Sequence, residues 1–462
     1  MKILYLGAGF VGTCSAAVSA NSGHETIVYD VDERKIKMLS SGDRDVIETC
    51  LYEKGLGDLL VRSINFISFT NDYGKVENFL NECDAVFMCL PTPEIGETGE
   101  SDLSFYFSAA EKLAQSLAVR NGGAQEKYIT IINKSTVPIG MTEKTRALFD
   151  KTGVKNYGVV SNPEFLVGGK AVEGAIKPDR VVVGASNARD FEIMRQVYQR
   201  FSDAPEVKYI EAAPPEAEAS KLLANFYLFA KLAICFDVIG RACEAYPGMQ
   251  FENLRRILTS DKRIGSWGFY NSLYAGGSCL IKDARSLSHQ LQTVGKSADL
   301  IDEVYTANRR QLELFLSRFE NEANGNWAGK KIALIGLSFK RDTNDTRNSP
   351  AIDISRFLLE KQVGEIRLCD PAASTDFKRL FPESKQFVYF AHEFEAAKDA
   401  DIIIVATDWP QFRGLADSII TELKHKPLIM DGRRILQHRY NDLQKAGFDI
   451  IAVGSPFIKG KK

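Results

Sequence analysis

The sequence predicts an α/β protein: two doubly wound domains joined by a long central helix and a helical segment. Three observations predict it. The chain opens with a short apolar run, ILYL at 3–6, that breaks into a glycine-rich turn and then a run of small residues. The same order of strand, glycine turn and acid-ending strand returns beyond residue 330. Between the two, from residue 211, apolar residues recur at helical spacing over more than 30 positions.

The first elements carry a recognisable chemistry. GAGFVG (7–12) follows the opening strand, TCSAAVSANSG supplies a helix of small residues, and HETIVYD (24–30) is a second strand ending in Asp30. In such a dinucleotide (Rossmann-type) unit Gly7 makes the tight turn, Gly9 lets the backbone approach a pyrophosphate, and Gly12 lets helix pack on strand. Asp30 would hydrogen-bond the adenine ribose and repel a 2′-phosphate, which favours NAD over NADP. Further strands at 84–90, 128–133 and 157–160 run into PTP (91–93), KSTVPIG (134–140) and SNPEFL (161–166). Ligands of doubly wound sheets bind at the carboxyl ends of strands, so these turns are site candidates.

The helix expected from 211 carries PP at 214–215 near its start, with Lys221 and Asn225 four residues apart on one face. Read alone, the pair is either functional or two solvated positions. After a polar linker, NEANGNWAG (321–329), a second unit begins: KKIALIGLSFK (330–340), IRLCDP (366–371) and DIIIVATDWP (401–410) mirror the first strands and turns. This is an internal duplication. The second copy lacks a complete GxGxxG but has Lys340, Arg341 and Arg347 after its first strand, suited to a second phosphorylated ligand or to a solvated basic loop. The expected domains are 1–210, which binds NAD, 211–324, a central helical segment, and 325–462, the second doubly wound unit.

Composition excludes several classes. Lys and Arg (58) nearly balance Asp and Glu (60), so the overall field gives no reason to expect nucleic acid or an anionic membrane as partner. No apolar run is expected to reach the roughly 18 residues of a membrane span, and the chain goes straight into an apolar strand with no signal-peptide layout; a cytoplasmic protein is expected. The eight cysteines and five histidines are scattered, without CxxC or HExxH spacing, so neither disulfides nor a metal site is expected.

GGSCLIKD (276–283) raises the remaining question. A cysteine usually packs as a small hydrophobe and is inert. Here glycines precede Cys279 and a Lys–Asp pair follows it. A thiol beside nicotinamide suggests oxidation through a covalent adduct, in which a thiolate adds to an aldehyde, the thiohemiacetal gives up hydride, and water hydrolyses the thioester.

GAGFVG, STVP, SNPEFL, EASKLLAN, DKRIG, GGSCLIKD, GLSFKRDTNDTR, TDWPQF and DGRR occur in one order along the chain. In that order and approximate spacing the sequence resembles the UDP-glucose 6-dehydrogenases, of the UDP-glucose/GDP-mannose dehydrogenase family, over nearly its whole length. The resemblance implies two successive hydride transfers from carbon 6 of the sugar of UDP-glucose to NAD, giving UDP-glucuronate. It implies Cys279 as nucleophile, Lys221 and Asn225 as oxyanion donors, Asp283 and Thr136 as supports of water and proton transfer, and Glu164 as base for thioester hydrolysis. Gly7, Gly9, Phe10, Val11, Gly12, Asp30, Lys35, Thr92, Thr136 and Arg347 would hold NAD. Glu164, Phe165, Leu166, Lys221, Asn225, Arg263, Gly276, Lys340 and Arg433 would hold the sugar nucleotide, with Arg263 reaching in from a neighbouring subunit of a homodimer or larger homo-oligomer.

The chain departs from the family pattern at Ala275, where an aromatic is usual, at Leu280 and Ile281 after the cysteine, in the spread of aromatics over 266–274, and at Val167 and Gly168, where a second acid is usual. These changes surround the sugar and leave the catalytic set. They keep open a second substrate, GDP-mannose or another UDP-hexose. A silent sugar-nucleotide binder and a two-electron alcohol dehydrogenase are the alternatives from other classes.

Overall fold

The computed structural model of the protein describes residues 1–120 and 127–461. Its strands are β1 (Lys2–Leu6), β2 (Glu25–Tyr29), β3 (Ile67–Thr70), β4 (Ala85–Met88), β5 (Ile129–Asn133), β6 (Tyr157–Ser161), β7 (Arg180–Gly184) and β8 (Lys208–Ala212) in the first half, then β9 (Lys331–Ile335), β10 (Glu365–Cys369), β11 (Phe387–Phe390), β12 (Ile402–Val405), β13 (Leu428–Asp431) and β14 (Ile450–Ala452). The chain forms two compact units, Met1–Ala224 with Ser286–Lys296, and Asn225–Arg285 with Ser297–Lys462.

The first unit holds an eight-stranded sheet in the order β3-β2-β1-β4-β5-β6-β7-β8. Its pairs are parallel except β6 with β7, which meet antiparallel at Ser161 and Gly184. The second unit holds six parallel strands in the order β11-β10-β9-β12-β13-β14. Strand for strand this repeats the first six of the larger sheet, the 3-2-1-4-5-6 order of a dinucleotide fold. The duplication expected from sequence is therefore present as topology.

Both faces of each sheet are covered, which is why the central strands are continuous apolar runs rather than alternating ones. AVFM of β4 and IIIV of β12 are buried at every position. One face of the first sheet packs on Cys14, Ala16 and Ala17 of the Phe10–Asn21 helix, whose small side chains let it lie close; the other packs on Tyr106, Ala110 and Leu113 of the Ser104–Arg120 helix.

The helix expected from 211 runs Pro214–Ala233 and continues through a π-helical turn, Ile234–Gly240, into Arg241–Ala245. Proline is tolerated in a first turn, where the missing N–H has no helical partner, and Glu216 accepts the Ala213 N–H at 2.8 Å to close the start. Lys231 and Asp237 interrupt its apolar run, yet by length and mean hydropathy Pro214–Ala245 could cross a membrane. Glu218, Lys221 and Asn225 on this helix are buried and make polar bonds, described below. The linker also differs from expectation: Trp327 is 1% exposed, with Phe319 at 4.4 Å and Phe357 at 5.5 Å between ring centroids. A segment polar on average thus buries one large anchor.

Candidate active site

The first glycine turn divides its glycines by task. Gly7 has φ +105°, and a Cβ there would collide with the Cys89 carbonyl; a Cβ on Gly12 would collide with the Gly7 carbonyl. A Cβ on Gly9 would meet nothing within 4 Å, so protein packing does not demand that glycine and its open face is available to a ligand. Gly9 precedes the Phe10–Asn21 helix without a side-chain cap, leaving first-turn N–H groups for an anion. Asp30 is pinned at the end of β2, accepting the Ala8 N–H at 2.7 Å and the Asp32 N–H at 2.9 Å, with Lys35 Nζ at 3.2 Å. These residues fit a dinucleotide with a free ribose diol.

The turns after β4, β5 and β6 are tied together. Thr92 Oγ1 donates to the Thr136 carbonyl at 2.7 Å, and Ser135 Oγ accepts the Leu90 N–H at 2.7 Å. Glu164 Oε1 lies 3.0 Å from Lys221 Nζ, and both side chains are less than a tenth exposed. The other Glu164 oxygen accepts the Leu166 N–H, so the SNPEFL turn closes on its own acid. Phe165 stacks under the Arg180 guanidinium at 3.7 Å, with Lys221 Nζ 5.6 Å from its ring. One turn earlier on the Lys221 helix, buried Glu218 accepts the Gly140 N–H at 2.6 Å and both the Thr142 N–H and hydroxyl at 2.7 Å. It fastens that helix to the turn carrying Thr136.

In the second unit Cys279 is exposed and its carbonyl accepts the Asp283 N–H at 2.9 Å, so it stands at the N-terminus of the Leu280–Thr293 helix. That position favours a thiolate through the helix field. The Arg347 guanidinium is held above its usual value first by its hydrogen bonds to Asp345, against the effect of burial, and further by the Asp345 charge and the Cys279 thiolate. Asp283, 1% exposed, accepts from Asn225 Nδ2 at 2.6 Å and pairs with Lys282 Nζ at 2.7 Å. Gly276 and Gly277 lie against the 339–348 loop: a Cβ on Gly276 would collide with the Asn348 carbonyl, Asn348 Nδ2 donates to the Gly277 carbonyl at 3.0 Å, and Phe339 packs on Gly277.

The remaining predicted anion binders of this unit are near that loop or engaged elsewhere. Lys340 Nζ is 5.6 Å from the Phe339 ring. Arg433 donates to Asp408 Oδ1 at 2.6 Å and to the Ser272 hydroxyl. Arg263 is 90% exposed and paired with Asp261 at 2.6 Å, with no contact to the other predicted site residues of its own unit among the described residues. Over the second glycine turn, Trp409 Nε1 donates to Asp370 Oδ2 at 3.1 Å and to Ser338 Oγ at 3.2 Å. The indole thus ties the TDWP turn to a glycine turn that lacks the full motif.

Several residues escaped the sequence reading. Asn308 clamps Ala275, accepting its N–H at 2.8 Å and donating to its carbonyl at 3.2 Å, while Tyr274 donates to Asp353 Oδ2 at 2.7 Å. Glu53 accepts the Gly169 and Ala171 N–H groups at 2.8 and 3.0 Å, so an acid distant in sequence braces the loop where Val167 and Gly168 replace the usual one. Lys134, inside the KSTVPIG turn, is buried. The signals for Glu218 and Lys134 were present, as charges inside apolar or turn segments; nothing local marked Asn308 or Glu53.

Comparison with known proteins agrees with this architecture. Models of the UDP-glucose/GDP-mannose dehydrogenase family match its NAD binding domain at residues 1–202, its central domain at 215–310 and its UDP binding domain at 333–438. A UDP-glucose 6-dehydrogenase of Pseudomonas aeruginosa is 30% identical, over 99% of this chain and 98% of the relative. One from Rickettsia conorii is 32% identical over 98% and 100%. The structure of a UDP-glucose dehydrogenase from Pyrobaculum islandicum superposes with a TM-score of 0.84 at 26% identity, covering 100% of this chain and 98% of that one. A first glycine turn shaped for NAD, a second altered copy of the same fold, and likeness sustained from end to end lead to one conclusion: the chain belongs to the UDP-glucose/GDP-mannose dehydrogenase family.

Proposed function

We propose that the protein oxidises UDP-glucose to UDP-glucuronate by two hydride transfers through a covalent intermediate on Cys279. The single observation that carries the reading is an exposed cysteine at the N-terminus of a 14-residue helix, with the Arg347 charge in reach, in a chain of this family. NAD, when bound, supplies the hydride acceptor, used twice per sugar. Lys221 and Asn225 donate to the oxygen on carbon 6 as it gains negative charge. The Cys279 thiolate adds to the aldehyde carbon, the resulting thiohemiacetal carbon loses a second hydride, and a thioester remains. Glu164 takes a proton from the attacking water, the carbon–sulfur bond breaks, and the sulfur leaves as thiolate. Per sugar, one water is consumed and two hydrides and three protons leave. Asp283 orients Asn225, and Lys340 and Arg433 meet the anionic end of the sugar nucleotide.

The test is the NADH formed from limiting UDP-glucose with excess NAD. About two per sugar are expected for two hydride transfers; one per sugar would sink the covalent four-electron reading, and none would move the substrate to another nucleotide sugar.

We further infer a homodimer or larger homo-oligomer in the cytoplasm. Tyr227, Ile234 and Val238, on one stripe of the central helix, are 67, 53 and 60% exposed. A second copy of the same helix is the occupant that suits such a stripe. Light scattering of V238R should show a smaller particle than wild type. An unchanged mass would remove this helix from the interface. Eight free cysteines suit a reducing compartment.

A further inference from the structure

Lys134 is 7% exposed in the turn after β5, two residues before Thr136. Its Nζ donates to Asn162 Oδ1 at 3.0 Å and to the Tyr198 hydroxyl at 3.3 Å, and that hydroxyl donates to the same Asn162 oxygen at 2.6 Å. Asn162 Nδ2 donates in turn to the Val182 carbonyl at 2.7 Å. Both hydrogen-bond partners of the lysine are neutral, although buried lysines are ordinarily paired with a carboxylate. Lys134, Asn162 and Tyr198 line a cavity of about 60 Å³ with Glu164 and Phe165. Asn162 stands two residues ahead of Glu164, at the hinge of the SNPEFL turn. The mechanism above gives Lys134 no task.

We propose that Lys134 is a positioning residue for Glu164: through Asn162 it fixes the turn that presents the acid, and its charge sets the field in which the Glu164–Lys221 pair works. The inference rests on the reading of Glu164 as the base for thioester hydrolysis. Burial pushes the Lys134 amine down to about 8; Cys89 and Glu164 oppose that fall and Lys221 adds to it. The groups facing it are Cys89 after β4, Glu164 after β6, Lys221 on the central helix and Tyr198 beyond the Ala188–Val197 helix, with Tyr5 of β1 and Arg180 of β7 also lining the cavity. Cys89 is pushed up to about 12 and Tyr198 well above its usual value, both by burial, so neither ionises near pH 8. Below pH 8 the Lys134 cation opposes movement of the water proton onto the Glu164 side chain. Above it the amine is neutral and faces the Glu164–Lys221 pair without charge.

The experiment follows thioester breakdown in single turnover, as release of sugar from the protein, for wild type, K134R, K134Q and E164Q between pH 7 and pH 9. Neither lysine variant titrates in this range. The ratio of each to wild type is therefore expected to fall by about threefold from pH 7 to pH 9, because only the wild-type side chain loses its charge over that range. Melting temperatures select the variants that fold, and either one suffices. A pH-independent ratio, as a purely structural lysine would give, overturns the inference. If E164Q releases sugar at the wild-type rate, the reading of Glu164 itself fails and the inference falls with it. If E164Q stalls while the ratios stay flat, only the role of Lys134 is lost.

Discussion

Replacement of Cys279 by serine is expected to lower NADH per UDP-glucose from about two to one or fewer, with turnover falling at least about 10³-fold. A serine hydroxyl is a far weaker acid and nucleophile than a thiol, so at the N-terminus of the Leu280–Thr293 helix it does not replace the sulfur. The aldehyde then has no nucleophile to hold it for the second hydride transfer. Because Cys279 is exposed, the substitution should leave folding within about 0.5 kcal/mol of wild type, so the loss is chemical. Stoichiometry and turnover are read together with a melting curve. Two NADH per sugar at the wild-type rate in C279S would favour a mechanism without a covalent adduct.

Lys221→Met should have the next largest effect, on two readouts at once. Loss of an oxyanion donor costs about 10²- to 10³-fold in kcat. The same change leaves the Glu164 carboxylate, 9% exposed, without the ammonium 3.0 Å away. Breaking such a buried pair from one side costs about 3–5 kcal/mol, because the remaining charge is stranded out of water. K221M should therefore melt well below wild type. The double variant K221M with Glu164→Gln should recover much of the stability and none of the activity, since the stranded charge has gone and both chemical groups with it. The measurement is a double-mutant cycle on melting temperature and on kcat. A single K221M variant within threefold of wild-type kcat would remove Lys221 from the chemistry.

Much of this site was legible in the chain, for reasons that are local. Gly7, Gly12 and Asp30 could be read because a tight turn, a close helix approach and a strand-end acid impose residue types at short fixed separations. Lys221 and Asn225 could be paired because four residues bring side chains to one helix face. Glu164 and Cys279 lie in turns whose composition would be odd in a core. Lys134 was visible but ambiguous: a lysine in a turn is usually solvated, and only the packing of Tyr198 and Asn162 around it reveals that it is buried. Glu53, Asn308 and Trp327 were not legible as supports. Each acts on a partner far along the chain or inside a segment of the opposite average character, and no spacing rule connects them.

The sequence by itself determined the two doubly wound units, the long helix that follows the first of them and the cofactor class, because each depends on periodicity or on contacts within a few residues. Tertiary structure alone decided which carboxylate meets which ammonium, that Glu218 fastens the Lys221 helix to the Thr136 turn, that Trp409 bonds to Ser338 and Asp370 at the second glycine turn, and that Lys134 is buried. The physical reason is that burial and ion pairing are properties of what lies opposite a side chain. What lies opposite is set by the order of strands in the sheet, not by the neighbours in the chain.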